Sequence, residues 1–403
     1  MRLYRFKERS LLVFNQRVLI FLLIIVQSCG IRFFDGIGSV ITFAVILYSA
    51  IKIKKFELRD AKMLFYIFLI LFGVFFLAQN FFISSGVYLY GLVLEVYLFL
   101  LTYRNKVKEC FVLDFFHCLN IIFLHAGIGY FMYFIFSTAY TPHSFNYQYN
   151  SLLSFFYVSK TDSGLVRNTG ILWEPGLLQL MMNLFLFYNI KRNSPVWMLL
   201  SIVAVIVSTF STAGYMILGL NCLFFIYHNY RTRRSLVIGA FTLLLIFSGS
   251  LYFVIDNVRD KFSQENTSGL VRLRDSKIGI ELIKESPFFG HGLFDAKYLF
   301  TKGYVSQIEL GLFSDEYLSI SGDMGGGFTN GLLGIFCWFG LPLGLIIYIA
   351  FFKNKFVGSN LFERSVFFLI LCLSFVSEPI TYTAFFLLFP FSYFLFRKSN
   401  RAC

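Results

Sequence analysis

Apolar residues in this chain gather in long blocks instead of alternating with polar ones, and the blocks set the plan of elements. Runs of apolar residues fall at about 18–30, 36–51, 63–83, 86–103, 111–137, 171–190, 195–210, 212–228, 235–254, 328–352, 365–377 and 380–396. A helix of about 20 residues crosses the hydrocarbon core of a bilayer, whereas a barrel strand needs only about ten alternating ones. The pattern therefore predicts an all-α, polytopic membrane fold of about 12 transmembrane helices, the eleventh short and the seventh and eighth nearly continuous. The first run lacks a small-residue cleavage site and is read as a retained helix.

Two stretches, 138–170 and 255–327, interrupt the pattern and are read as long loops of a single membrane domain spanning 1–403. Loops of that size are usually functional or partly folded. Within the second, LVRLRDSKIGIELIKES (Leu270 to Ser286) regains a helical period. Val271, Ile278 and Leu282 share one stripe, and Arg274, Lys277, Glu281 and Lys284 another. Pro287 and then Gly290-His291-Gly292 stop that helix, which is expected to lie at the membrane surface. SGDMGGGFTNG, from Ser321 to Gly331, reads as a flexible approach to the tenth span.

Composition sharpens the class. Only 14% of residues are charged, against about 25% in soluble domains, and the mean hydropathy is +0.70. A net charge of +13 would suit nucleic acid, but its distribution excludes that partner. Of 35 Lys and Arg residues, 24 fall in the termini and in one alternating set of connections. Under the positive-inside rule this makes both termini cytoplasmic and both long loops extracytoplasmic. The excess charge then meets anionic lipid headgroups. The seven cysteines avoid the two long loops, so no disulfide framework is implied.

Chemistry concentrates in RNTGILWEPG, Arg167 to Gly176, where the first long loop meets a span. Arg167 there suits a bidentate grip on phosphate, or a snorkelling interfacial role. Glu174 at the start of a span is costly unless paired or used, and a structural pair with Arg167 is the competing reading. Trp173 suits stacking on a sugar ring or an aromatic belt. In the second loop Arg272 and Arg274 point about 200° apart on a helix, so at most one enters a given site. His291 is a candidate general base, or a surface residue. Glu378-Pro379 repeats the Glu-Pro dipeptide, either at the same cavity or as a span terminator. Ser208, Thr209, Ser211 and Thr212 suit helix–helix hydrogen bonds, and Glu95 is the deepest carboxylate. Aromatic residues of the first loop, among them Tyr140, Tyr147, Tyr149 and Tyr157, suit sugar binding or an interfacial belt. Walker, dinucleotide and zincin motifs are missing, as is an Asp-x-Asp pair in the outer loops, so the expected chemistry uses no metal and no cofactor.

RNTGILWEPG resembles the signature of Wzy-type bacterial O-antigen and capsule polymerases. RLRDSKIGIELIKESPFFGHG resembles the amphipathic segment ending in Pro-x-x-Gly-x-Gly of the O-antigen ligase/polymerase superfamily, and FTNGLLGIFCWFG resembles its passage from loop into span. The resemblance covers about 160–350 and implies a GT-C-like membrane glycosyltransferase. It further implies polymerisation of undecaprenyl-diphosphate-linked oligosaccharide repeat units at the periplasmic face of the bacterial inner membrane, alongside a chain-length regulator. Arg167 and Arg274 match the family's loop arginines, with fifteen residues between Arg274 and Gly290. Arg167, Arg272, Arg274 and Trp173 are then expected on diphosphate or glycan, with Glu174 or His291 as base. Ligases of the superfamily carry a histidine before the residue matching Asn330; Thr329 stands there, which favours a polymerase over a ligase. A lipid-glycan flippase is the alternative of another class.

Overall fold

A computed structural model describes residues 15–29, 37–53, 56–77, 83–104, 108–143, 146–152, 156–160, 164–172, 174–229, 268–292, 330–358, 360–378, 380 and 383–396. Five helices come first: α1 (Gln16–Cys29), α2 (Ile37–Lys52), α3 (Leu58–Leu77), α4 (Ile83–Leu101) and α5 (Lys108–Ile135). A small sheet follows, of β1 (Thr141–His143), β2 (Asn146–Leu152), β3 (Phe156–Lys160) and β4 (Val166–Gly170). Then come α6 (Pro175–Lys191), α7 (Val196–Val207), α8 (Thr212–Asn229), α9 (Ser268–Glu285), α10 (Gly331–Phe352), α11 (Leu361–Ser377) and α12 (Ala384–Phe396). Apart from α9, which is the helix expected inside the second long loop, each matches an apolar run. The run at 235–254 lies outside the described residues.

The chain is built around α6. Every residue from Pro175 to Ile190 is buried, so this helix has no outward face, and it packs against α5, α7, α8, α11 and β4. Its amides form a ladder: Asn183 Nδ2 donates to Gln179 Oε1 at 3.1 Å, and Asn221 Nδ2 of α8 donates to Asn183 Oδ1 at 3.0 Å. Such bonds fix the register of two helices whose surroundings are otherwise apolar. Nearer the amino-terminal helices, Phe21 packs on Phe99 and Phe115, both with ring centroids 5.3 Å away, and Phe111 packs on Phe356 at 4.7 Å. Away from this core α2 and α3 expose Phe43, Leu47, Phe65, Ile70 and Phe76, a surface suited to lipid tails. Cys110–Ile135 and Gly331–Phe352 are each long and apolar enough to cross a membrane.

The all-helical expectation fails between α5 and α6, where the loop read at 138–170 folds as an antiparallel meander in the order β1-β2-β3-β4. Ser151 pairs with Tyr157, and Ser159 pairs with Arg167. Tyr, Val and Ser in short polar-spaced runs suit a pleated surface with one face buried, whereas their aromatic content reads as a membrane belt when burial is unknown. The sheet is fastened to α5 by Tyr140 Oη donating to Gly129 O at 2.8 Å and Tyr130 Oη donating to Val166 O at 3.2 Å.

Two boundaries also move. The sixth span starts at Pro175, four residues later than the apolar run, because Glu174 is extended and Pro175 takes the first helical position. The seventh and eighth spans are cut at Ser208–Ser211. There Ser208 Oγ donates to Val205 O at 2.8 Å and Thr209 Oγ1 to Ile206 O at 2.7 Å, competing with the helical ladder, and Phe210 adopts φ 47°.

Candidate functional site

The segment from Arg167 to Gly176 runs off β4 onto the top of α6, and its anchors lie on the turn between α7 and α8. Arg167 Nε donates to Thr209 O at 3.0 Å. Asn168 N donates to Ser208 O at 2.9 Å, and its side-chain amide donates to Ser208 Oγ at 3.0 Å and to Ala126 O at 3.2 Å. Thr169 Oγ1 donates to Tyr157 O at 3.0 Å, and Gly170, at φ 59°, turns the chain with its N–H on Asn168 Oδ1 at 3.0 Å. These bonds leave the Arg167 guanidinium half-buried at the rim of the sheet, held by its Nε.

Glu174 follows at the N-cap of α6. Its carbonyl accepts from Leu177 N at 3.1 Å and Leu178 N at 3.2 Å, while its half-buried carboxylate makes no capping bond. Among the described residues Arg167 and Glu174 form no ion pair. The carboxylate that does meet the helix top is Glu378, 6% exposed at the end of α11. It sits so close to Gly176 that a Cβ there would overlap both the Glu378 Cδ and an oxygen. The first turn of α6 carries N–H groups without helical partners, and a carboxylate there is stabilised by them. The acids of the two Glu-Pro dipeptides, Glu174 and Glu378, therefore both lie at the top of α6.

A second close contact joins α9 and α10. Inside α10, Gly340 has φ 70° and ψ 172°, and Pro342 lacks an N–H, so the helical ladder breaks. In an unbroken helix Cys337 O would take Leu341 N, and Trp338 O would face the missing donor of Pro342. The loop after α9 replaces both: His291 N donates to Cys337 O at 2.7 Å, Gly292 N to Trp338 O at 3.2 Å, and Pro287 O accepts from Leu341 N at 2.7 Å. Gly340 is nine residues along α10 from Gly331, about 13 Å at 1.5 Å per residue, so the loop reaches well below the helix top. Non-helical backbone at such depth is tolerated when protein satisfies it, as here. Gly290, at φ 70°, passes against Gly340 so tightly that a Cβ on either would strike the other segment's backbone.

The His291 ring takes part in this lock, its Nε2 lying 2.8 Å from Leu282 O on α9. Ile278 and Leu282 are buried, while Glu281 and Lys284 pair at 2.9 Å on the exposed side, as the two stripes predict. Asn330 caps α10 by accepting from Leu333 N at 3.2 Å, and its amide donates to Ser276 Oγ of α9 at 3.0 Å. Arg272 and Arg274 lie on the described backbone of α9, but their side chains, like Trp173 and Thr329, are outside the described residues.

Comparison with known proteins supplies the family. Residues 196–348 match the family model described as O-antigen ligase. That stretch is consistent with a domain of the O-antigen ligase/polymerase superfamily. No curated protein and no solved structure matches the chain. The match begins at α7 and ends within α10, so it contains both the Ser208–Thr209 anchor and the α9–α10 crossing. The match and the apolar helices fit an integral membrane protein, and members of the matched family are glycosyltransferase-like enzymes. The flippase reading finds no support.

Arg167, Glu174 and Glu378 lie outside the family-matched residues; the two glutamates meet the top of α6, and Arg167 meets the turn between α7 and α8. Sequence reasoning noticed Glu378 without placing it in the site; the repeated Glu-Pro dipeptide was its only signal. It missed Gly340 as the partner of Gly290, although Gly-x-Pro inside an apolar run marks a broken helix. The nearby tyrosines act as neutral groups. Burial raises the Tyr157 phenol, and burial with Tyr133 beside it pushes Tyr140 up to about 12.

Proposed function

We propose that this protein polymerises undecaprenyl-diphosphate-linked oligosaccharide repeat units into O-antigen or capsular polysaccharide. The observation that carries the reading is the fastening of Arg167 and Asn168 onto Thr209 and Ser208, which joins the signature segment to the superfamily domain. We place the reaction at the extracytoplasmic face of the bacterial inner membrane, on a GT-C-like scaffold of about twelve spans with both termini cytoplasmic. The stretches 138–170 and 255–327 form its working surface within one domain. Thr329, where ligases carry histidine, favours polymerase over ligase.

In this scheme an acceptor sugar hydroxyl attacks the anomeric carbon of the donor chain. The bond from that carbon to the diphosphate breaks, and lipid diphosphate departs with the electron pair. Arg167, with Arg274 or Arg272 from α9, balances the charge growing on the diphosphate without a metal. Trp173 stacks on a sugar, and Glu174 takes the hydroxyl proton. The bond from the His291 ring to Leu282 O and the closure of its loop on α10 favour Glu174 over His291 as that base. A chain-length regulator is the expected protein partner.

The test is the surface polysaccharide of a strain carrying Arg167→Ala. Removing a charge-stabilising donor typically costs about 100-fold or more in rate. Single repeat units on the lipid core are the expected product, since ligation continues without polymerisation. Complete loss of glycan from the core would instead indicate a ligase, and an unchanged long-chain ladder would remove Arg167 from the site.

A further inference from the structure

Away from the glycan site, α1, α2 and α4 meet around Glu95, which is fully buried. Its Oε2 accepts from Thr42 Oγ1 at 3.0 Å and from Gln27 Nε2 at 3.5 Å, and the Gln27 amide also donates to Thr42 Oγ1. The donors of the cluster are thereby used on one carboxylate oxygen and one hydroxyl. Two acceptors remain, Glu95 Oε1 and Gln27 Oε1, each sealed from solvent and each without a hydrogen-bond partner.

Among the described residues no cation forms an ion pair with Glu95. Arg104, beyond the end of α4, is held by Glu57 and Asp60, and Lys52, at the end of α2, lies over the Tyr48 ring at 5.7 Å. The ionisable neighbour on the same helix is Tyr88, a phenol that adds no positive charge. A lone ionised carboxylate in such surroundings is among the costliest groups to bury, and it takes up a proton instead.

We propose that Glu95 is a proton-binding site: Oε1 carries the proton and donates it toward the Gln27 amide oxygen, so that three helices assemble around a neutral acid. One bound proton converts the unmatched acceptor on Glu95 into the donor that Gln27 lacks. No other group need change, and the proton comes from and returns to water. The site is independent of the polymerase reading, because Gln27, Thr42 and Glu95 all lie outside the matched domain.

The experiment compares the full-length protein with Glu95→Gln, purified in the same detergent, by infrared absorption and thermal unfolding at neutral pH. Wild type should show the carbonyl stretch of an un-ionised carboxyl, lost in Glu95→Gln. The variant should keep the wild-type unfolding midpoint, since a glutamine amide donates from the same position as the acid proton. Glu95→Ala, which removes donor and acceptor together, should lower the midpoint. Three results would overturn the proposal: no acid band in wild type, failure of Glu95→Gln to fold, or a midpoint that rises with sodium but not choline chloride in wild type alone. The last would assign the two oxygens to a monovalent cation.

Discussion

Two glycine contacts, one at the top of α6 and one at the α9–α10 crossing, differ in what stands opposite the glycine. At α6, Gly176 faces the carboxylate of Glu378, the end of a side chain with three rotatable bonds. At the α9–α10 crossing, Gly290 and Gly340 face each other's backbone, both with φ 70°. A side chain can rotate away or be deleted, but a backbone moves only with its helix. The first contact is therefore a joint that tolerates adjustment, and the second a weld. The welded contact lies inside the matched stretch and the adjustable one, between Gly176 and Glu378, lies outside it, so the scaffold is fixed where the family is recognisable. The parts outside the matched stretch are attached more softly.

The sharpest way to break this comparison is Gly340→Ala. The new residue would have to hold a left-handed conformation, at about 1–2 kcal/mol, and would press on Phe288 O, at about 1–3 kcal/mol more. A combined loss of about 2–5 kcal/mol should appear as a collapsed yield of folded protein and a lower unfolding midpoint. Gly290→Ala should match it, because its Cβ would meet Trp338 O and Gly340 N. Deleting nearby side chains should rescue neither. A near-normal midpoint in either variant would show that the crossing is not a weld.

Gly176→Ala comes next, with an expected cost of about 1–3 kcal/mol from overpacking against Glu378. Here rescue is expected. Combining it with Glu378→Ala should recover stability, giving a coupling energy of about 0.5–3 kcal/mol in a double-mutant cycle by thermal unfolding. Additive losses would mean that the carboxylate is not what excludes a side chain at this position, and the contrast with Gly340 would fall.

The same contrast explains how much the sequence disclosed. Long apolar runs reveal helices because blocks of about 20 apolar residues fit a spanning helix and not a barrel strand, and α1 to α8 and α10 to α12 all lie on such runs. The superfamily was legible in RNTGILWEPG and in the Pro-x-x-Gly-x-Gly ending of the α9 segment. The sheet was not, since Tyr157 and Val158 disclose their pairing only when Gly170 and Asn168 are known to stand opposite. Nor was the meeting of Glu378 with Gly176, which lie 202 residues apart on helices whose order in the bundle no local pattern specifies. Glycines were visible as breaks, but what they make room for is a property of the partner segment.

The smallest expected effect refines the comparison from a third glycine. Gly214 lies in α8 against α6, where an added Cβ would sit 3.0 Å from Gln179 Cβ and 3.2 Å from its Cγ. The obstruction is again a side chain, but it is attached to a fully buried helix and lies near its own backbone, so it rotates away less easily than a carboxylate tip. Against that, alanine favours a helix interior over glycine by about 1 kcal/mol. The two effects are of similar size, and Gly214→Ala should shift unfolding stability by less than about 1 kcal/mol. Adding Gln179→Ala clears the Cγ and amide but keeps the Cβ, and it removes the amide that accepts from Asn183 Nδ2, so the double variant should be less stable than Gly214→Ala alone. If it were more stable, steric room and not the amide ladder would set how closely α6 and α8 approach, and Gly214 would belong with Gly176 as an adjustable joint.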